Sequence, residues 1–111
     1  MLRTKPPQLV PREGPMIVIY AGTITVAPED RDRYVALRIE QSRSYRSQAG
    51  VLGYAISADA VDPAVVNVFE CYESEEALAE HQAIHERNLE VPVVAYDLYR
   101  YDATRAPLNV G

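Results

Sequence analysis

The chain carries four runs rich in β-branched and aromatic residues, separated by two longer segments with helical spacing. MIVIYAGTITV (16–26) reads as a first strand that Pro28 ends. A helix is expected from Pro28 or Glu29 to Gln48, with acidic residues in its first turn, Arg43 and Arg46 near its end, and Gly50 to stop it. Tyr34, Leu37 and Tyr45 mark its inner face, which Gln41 and Ser44 share, so the stripe is polar for a core helix. VLGYAISAD (51–59) and AVVNVFECY (64–72) read as two strands, and the short turn between them implies an antiparallel hairpin. Ser74 is placed to cap a second helix running to about Leu89. Its predicted face holds Ala77, Leu78, His81, Ile84, His85 and Leu89, and Pro92 ends it. VVAYDLYRY (93–101) reads as the last strand.

The order β-α-β-β-α-β, with right-handed crossovers, predicts an α+β, ferredoxin-like fold. Four antiparallel strands would carry both helices on one face. A sheet covered on one side alternates apolar and polar residues. These strands do not: Ile17, Ile19 and Ala21 oppose Val18, Tyr20, Ile24 and Val26, and Val65 and Phe69 oppose Val66 and Val68. The second apolar face calls for a partner, and a homodimer through the sheet face is the expectation.

At 111 residues, 48% hydrophobic and 24% charged, the chain has the composition of one globular domain. The expected division is an irregular arm over 1–15, which holds four of the eight prolines, a domain over 16–103 and a tail over 104–111. The arm lacks a core of its own and is expected to lie along the body or a partner subunit. A net charge of -5 argues against nucleic acid and anionic membrane surfaces as partners. Cys71, the single cysteine, cannot form an internal disulfide. With no apolar run of membrane-spanning length and no signal-like start, a cytoplasmic location is the simplest expectation.

Two stretches carry a family likeness. Gly50-Val-Leu-Gly-Tyr54, followed by Asn67-Val-Phe-Glu70-Cys-Tyr72-Glu-Ser-Glu-Glu-Ala77-Leu-Ala-Glu-His81, resembles the antibiotic biosynthesis monooxygenase superfamily. The family pattern is a Gly-x-x-x-Tyr strand opening, then Glu-x-Trp, an acidic cap and an Ala-Leu-x-x-His helix. The likeness covers 16–102. It implies a dimeric α+β barrel and, as the best functional expectation, a monooxygenase that needs no cofactor. The substrate would be a small phenolic, quinol or polyketide-like aromatic, with O₂ as oxidant. The usual Trp is Tyr72 here, and the first strand has no Asn. Haem-degrading relatives use both, so haem degradation is disfavoured. A non-catalytic ligand-binding or dimerisation domain, or an isomerase or degradative enzyme for a small metabolite, remain alternatives on this fold.

His81 matches the family's helix histidine and is the expected base for a phenolic proton. A phenol near pKa ~10 facing a histidine near ~6.5 makes that transfer uphill by about 5 kcal/mol. Hydrogen bonds to the developing phenolate must supply much of the difference. Asn67 and Tyr72 are the candidate donors. Tyr20, Tyr45 and Tyr54 are candidate walls for a flat ring, with Arg38 and Gln41 closing the cavity from the first helix. Glu70, a charge inside an apolar strand, must be paired or functional. It shares a strand face with Tyr72, and Asn67 lies on the other face. His85 is one turn beyond His81, a rim residue. The pair lacks the Glu of HExxH and any evident third ligand, so no metal is expected. No phosphate loop or nucleophile triad is present.

Overall fold

The computed structural model describes residues 16–85 and 89–108. The expected N-terminal arm lies outside the described residues. Four strands, β1 (Met16–Val26), β2 (Val51–Ala58), β3 (Val65–Tyr72) and β4 (Val93–Thr104), form one sheet in the order β2-β3-β1-β4. Every pairing is antiparallel. Helix α1 (Arg31–Tyr45) joins β1 to β2, and α2 (Glu75–Ile84) joins β3 to β4. This is the ferredoxin-like α+β fold expected from the strand and helix order.

The helix boundaries differ from expectation for local reasons. Pro28 opens a single 3₁₀ turn, Pro28–Asp30, before α1 begins at Arg31. At the other end α1 stops at Tyr45, and Gln48 lies in the turn that follows. Its buried positions are Tyr34, Arg38, Ser42 and Tyr45, whereas Leu37 is exposed. The inner stripe therefore runs one position away from the expected one, through a buried arginine. Ser74 caps α2 as expected, its hydroxyl accepting from Ala77 N–H at 3.1 Å. The helix ends at Ile84, not near Leu89, because His85 turns to an extended backbone (ψ 126°). Ile84 is left exposed. Strand β4 continues beyond Tyr101 to Thr104, pairing Asp102, Ala103 and Thr104 with the start of β1.

Strand alternation sorts the sheet into rows. On the helix side, Tyr54, Glu70, Tyr20 and Arg100 lie abreast, with Ile56, Val68, Gly22 and Leu98 in the next row and Ala58, Val66, Ile24 and Tyr96 beyond. Ile24, Val26, Tyr34, Tyr45, Tyr54, Ile56, Val66 and Val68 form the main core between this face and α1. Val18, Tyr72, Ala77 and Leu78 form a second cluster under α2. Gly22 has φ +149°, and a β-carbon there would overlap the Asp97 carbonyl oxygen, so this position requires glycine. The far side carries the rows Ala55-Phe69-Ala21-Tyr99 and Gly53-Cys71-Ile19-Tyr101. Phe69, Tyr99 and Tyr101 are exposed in the isolated chain.

Candidate functional site

A cavity of about 360 Å³ opens between the two helices and the sheet. Its floor comes from β1, β3 and β4 through Tyr20, Ile24, Glu70 and Leu98, and the side-chain-free Gly22 sits in register with Leu98. Tyr34 and Arg38 line it from α1, and His81 and Gln82 from α2. His85 and Tyr96 contribute at its mouth.

Arg38 organises one wall. Only 6% exposed, it donates from Nη1 to the Tyr34 hydroxyl oxygen (2.7 Å) and from Nη2 to that of Tyr54 (3.0 Å). Glu70 Oε2 lies 3.8 Å from Nη2, and Tyr72 donates its hydroxyl proton to Glu70 Oε1 at 2.6 Å. Among the described residues, the buried Nε of Arg38 has no hydrogen-bond partner. Burial pushes the Glu70 carboxyl above its usual range, against the opposing pull of the Tyr72 bond and of Arg38. Burial also raises Tyr54, to about 12, despite the neighbouring guanidinium. For Tyr72, burial and then the bond to Glu70 push the phenol well upward. Burial alone would lower the pKa of Arg38, but the Tyr54 and Tyr34 oxygens outweigh it and hold the cation.

His81 forms the opposite wall and is 3% exposed. Its ring packs edge-on to Tyr45 with centroids 4.6 Å apart, lies 5.2 Å from Tyr72, and stacks on His85 at 5.2 Å. Nδ1 is 3.2 Å from Gln48 Oε1. A carbonyl oxygen only accepts, so this bond places the proton of the neutral ring on Nδ1 and its lone pair on Nε2. His85 Nδ1 meets the Tyr45 hydroxyl at 3.3 Å. The extended backbone at His85 thus brings both imidazoles against one tyrosine. Gln82 Nε2 donates to the Tyr20 hydroxyl oxygen at 3.3 Å, which leaves the Tyr20 proton to be donated elsewhere.

Of the residues singled out from sequence, Tyr20, Arg38, Glu70, His81 and His85 line the cavity. Tyr45 and Tyr54 stand behind them, against His81 and Arg38. Gln41 is half-buried on α1 and outside the lining. Asn67 and Tyr72 lie outside the lining. Asn67 projects from the opposite face of β3, where Nδ2 donates to Asp59 Oδ1 at 3.0 Å and fastens the β2–β3 turn. Strand alternation makes it a turn residue and not a donor to the cavity. Tyr72 is fully buried outside the lining and donates its hydroxyl proton to Glu70. Tyr34, Gln48 and Gln82 were missed as site residues. For Tyr34 the signal was its four-residue spacing from Arg38 on one helix face. Gln48 and Gln82 carried none. Among the described residues, no cluster of three or more potential metal ligands occurs, and no helix is long and apolar enough to cross a membrane.

A small ferredoxin-like domain with a tyrosine- and histidine-lined chamber between sheet and helices is the class these features define. Residues 16–86 match the family model for antibiotic biosynthesis monooxygenase, and the chain belongs to that family. Among solved structures, it is similar to a candidate antibiotic biosynthesis monooxygenase from Deinococcus radiodurans, at 21% identity and a TM-score of 0.68, over 85% of this chain and 99% of that one. A protein from Shewanella oneidensis is similar at 20% identity and a TM-score of 0.67, over 82% and 93% of the respective chains. A candidate antibiotic biosynthesis monooxygenase from Nitrosomonas europaea is similar at 13% identity and a TM-score of 0.66, over 83% and 91%. At these identities the likeness concerns the fold. The comparison with curated proteins returns no match.

Proposed function

We propose that the protein is a cofactor-independent monooxygenase that oxidises a small phenolic, quinol or polyketide-like aromatic with O₂ in the chamber beneath His81. The observation that carries this reading is the buried His81 ring, held at Nδ1 by Gln48, in the wall of a chamber that also presents Tyr20, Tyr34 and Arg38. Its size falls within the range of small-molecule sites.

In this scheme His81 Nε2 accepts the phenolic proton while Tyr20 donates to the developing phenolate and the Arg38 charge favours it. The electron-rich ring passes an electron to O₂, and the resulting superoxide and aryloxyl radical recombine to form a C–O bond. The proton held by His81 returns to the peroxide. Cleavage of the O–O bond and loss of the remaining C–H proton leave one oxygen atom on the ring as a carbonyl, and the other departs as water. Four electrons leave the substrate and reduce O₂ completely, so no external reductant enters. Oxygen uptake with a panel of hydroquinones and anthrones, without added cofactor, tests the reading. One O₂ consumed per substrate, with a quinone product that carries one added oxygen atom and no hydrogen peroxide released, supports it; no uptake with any member of the panel refutes it.

The same reading includes a homodimer formed through the outer sheet face. What supports it is the pair of apolar rows ending in Tyr99 and Tyr101, bordered by the polar row Ser57-Asn67-Thr23-Asp97. An apolar surface with a polar border is the form of an interface. Sedimentation should give the mass of two chains. Phe69→Glu, which places a charge on an exposed ring position of that face, should shift the species to one chain. A wild-type protein that sediments as a single chain at micromolar concentration would remove the dimer.

A further inference from the structure

The cation in the chamber has a donor to spare. Arg38 engages two tyrosine oxygens through Nη1 and Nη2, and its Nε is buried without a hydrogen-bond partner among the described residues. That Nε has no surface open to the cavity, so the donors left for a ligand are the second N–H groups of Nη1 and Nη2, and a ligand oxygen in the chamber would satisfy them. The potential counter-ion, Glu70, stands at 3.8 Å from Nη2, and no hydrogen bond joins the two groups. Its Oε1 is instead held by the Tyr72 hydroxyl. The guanidinium is therefore not closed off by a bidentate carboxylate, although a buried arginine favours that arrangement.

We propose that Arg38 is the anchor for a carboxylate on the substrate, so that the chamber selects an aromatic acid over its neutral analogue. This deepens the proposed function by naming the substrate class, and it rests on the chamber being the substrate site. The walls fit such a ligand. Tyr34, Leu98 and Tyr20 offer apolar and aromatic surface to a ring, and His81 and Tyr20 face the same chamber for the ring's hydroxyl group. The buried Arg38 would hold the anion, and the exposed Tyr96 borders the same chamber. Glu70 accommodates the added negative charge by taking up a proton. Its burial already favours the neutral acid, and the Tyr72 hydroxyl can then accept a hydrogen bond from it as readily as donate one. A dianion such as a phosphate monoester would meet Glu70 with two charges against one cation, so the monoanionic carboxylate is the better match.

Calorimetric titration of the full chain with benzoate, benzamide and acetate tests this without oxygen or turnover. Benzoate should bind about tenfold or more tightly than benzamide, as expected for one charge-assisted hydrogen bond in a buried site. Acetate should bind more weakly than benzoate, since it lacks the ring. In Arg38→Met the preference for benzoate should fall to about twofold or less. Equal binding of benzoate and benzamide, or no binding of benzoate, overturns the proposal, as does acetate matching benzoate. Those results come from the wild-type protein and stand even where Arg38→Met does not fold. Failure of the quinol assay with a retained benzoate preference would count against the oxygenase reading alone.

Discussion

His81→Ala is expected to reduce kcat for quinol or anthrone oxidation by about 10²–10⁴-fold, the range for loss of a general base. The histidine is the group in the chamber wall whose orientation is set from behind, by Gln48, and whose ring is clamped by Tyr45, Tyr72 and His85. Alanine removes a ring that is 3% exposed, so the variant also leaves a void, and part of any loss would be structural. Added imidazole separates the two effects. It fits the void, restores a proton acceptor, and should recover a measurable share of the rate at millimolar concentration. Asn67→Ala provides the control, because that side chain faces away from the chamber and holds only the β2–β3 turn. Its kcat should stay near wild type. Full activity in His81→Ala would remove the histidine from the chemistry and leave the chamber without its proposed base.

Three of the strands were legible in the sequence to within a residue, because apolar runs bounded by Pro28, Gly50 and Pro92 leave few alternatives, whereas β4 runs three residues past its expected end to Thr104. The helix faces were less so. The α1 pattern offered Leu37 as an inner position, but the tyrosines at 34 and 54 with Glu70 reward a buried guanidinium, and the helix turns Arg38 inward instead. Hydrophobic periodicity cannot register a polar residue that is buried by its partners. The end of α2 was illegible for a related reason: apolar spacing continues to Leu89, whereas the chain leaves the helix at His85, whose ring meets Tyr45 across the fold. The candidate site divides the same way. His81, Arg38, Glu70 and Tyr20 stood out by type and position, and alternation already placed Asn67 opposite Glu70. Gln48 and Gln82 reach the site through tertiary contacts more than thirty residues away in sequence, and no local pattern announces them.

Arg38→Met should destabilise the fold by an amount that grows with pH. At acid pH the cost comes from two lost hydrogen bonds, to Tyr34 and Tyr54, and is about 1–3 kcal/mol. At neutral pH and above, Glu70 adds to it. The carboxyl faces Arg38 and Tyr34 from α1, Tyr54 from β2, Tyr20 from β1, His81 from α2 and Tyr72 on its own strand. Arg38 is the one cationic side chain of α1 beside it and pulls its pKa down against burial. Without the guanidinium, the folded-state pKa of Glu70 rises further. A carboxyl whose folded pKa lies above the unfolded one contributes stability that is fully present below the unfolded pKa, near 4.5, and is lost as pH rises through the folded value. The total loss should therefore approach about 3–5 kcal/mol once the carboxyl must either ionise unpaired or hold its proton. Urea unfolding at about pH 5 and about pH 8 reads the difference directly. Adding Glu70→Gln to Arg38→Met should remove the growth with pH, since the amide keeps a partner for Tyr72 and cannot ionise. An equal loss at both pH values would show that Glu70 makes no use of the cation, and that the arginine is held in the wall by its tyrosines alone.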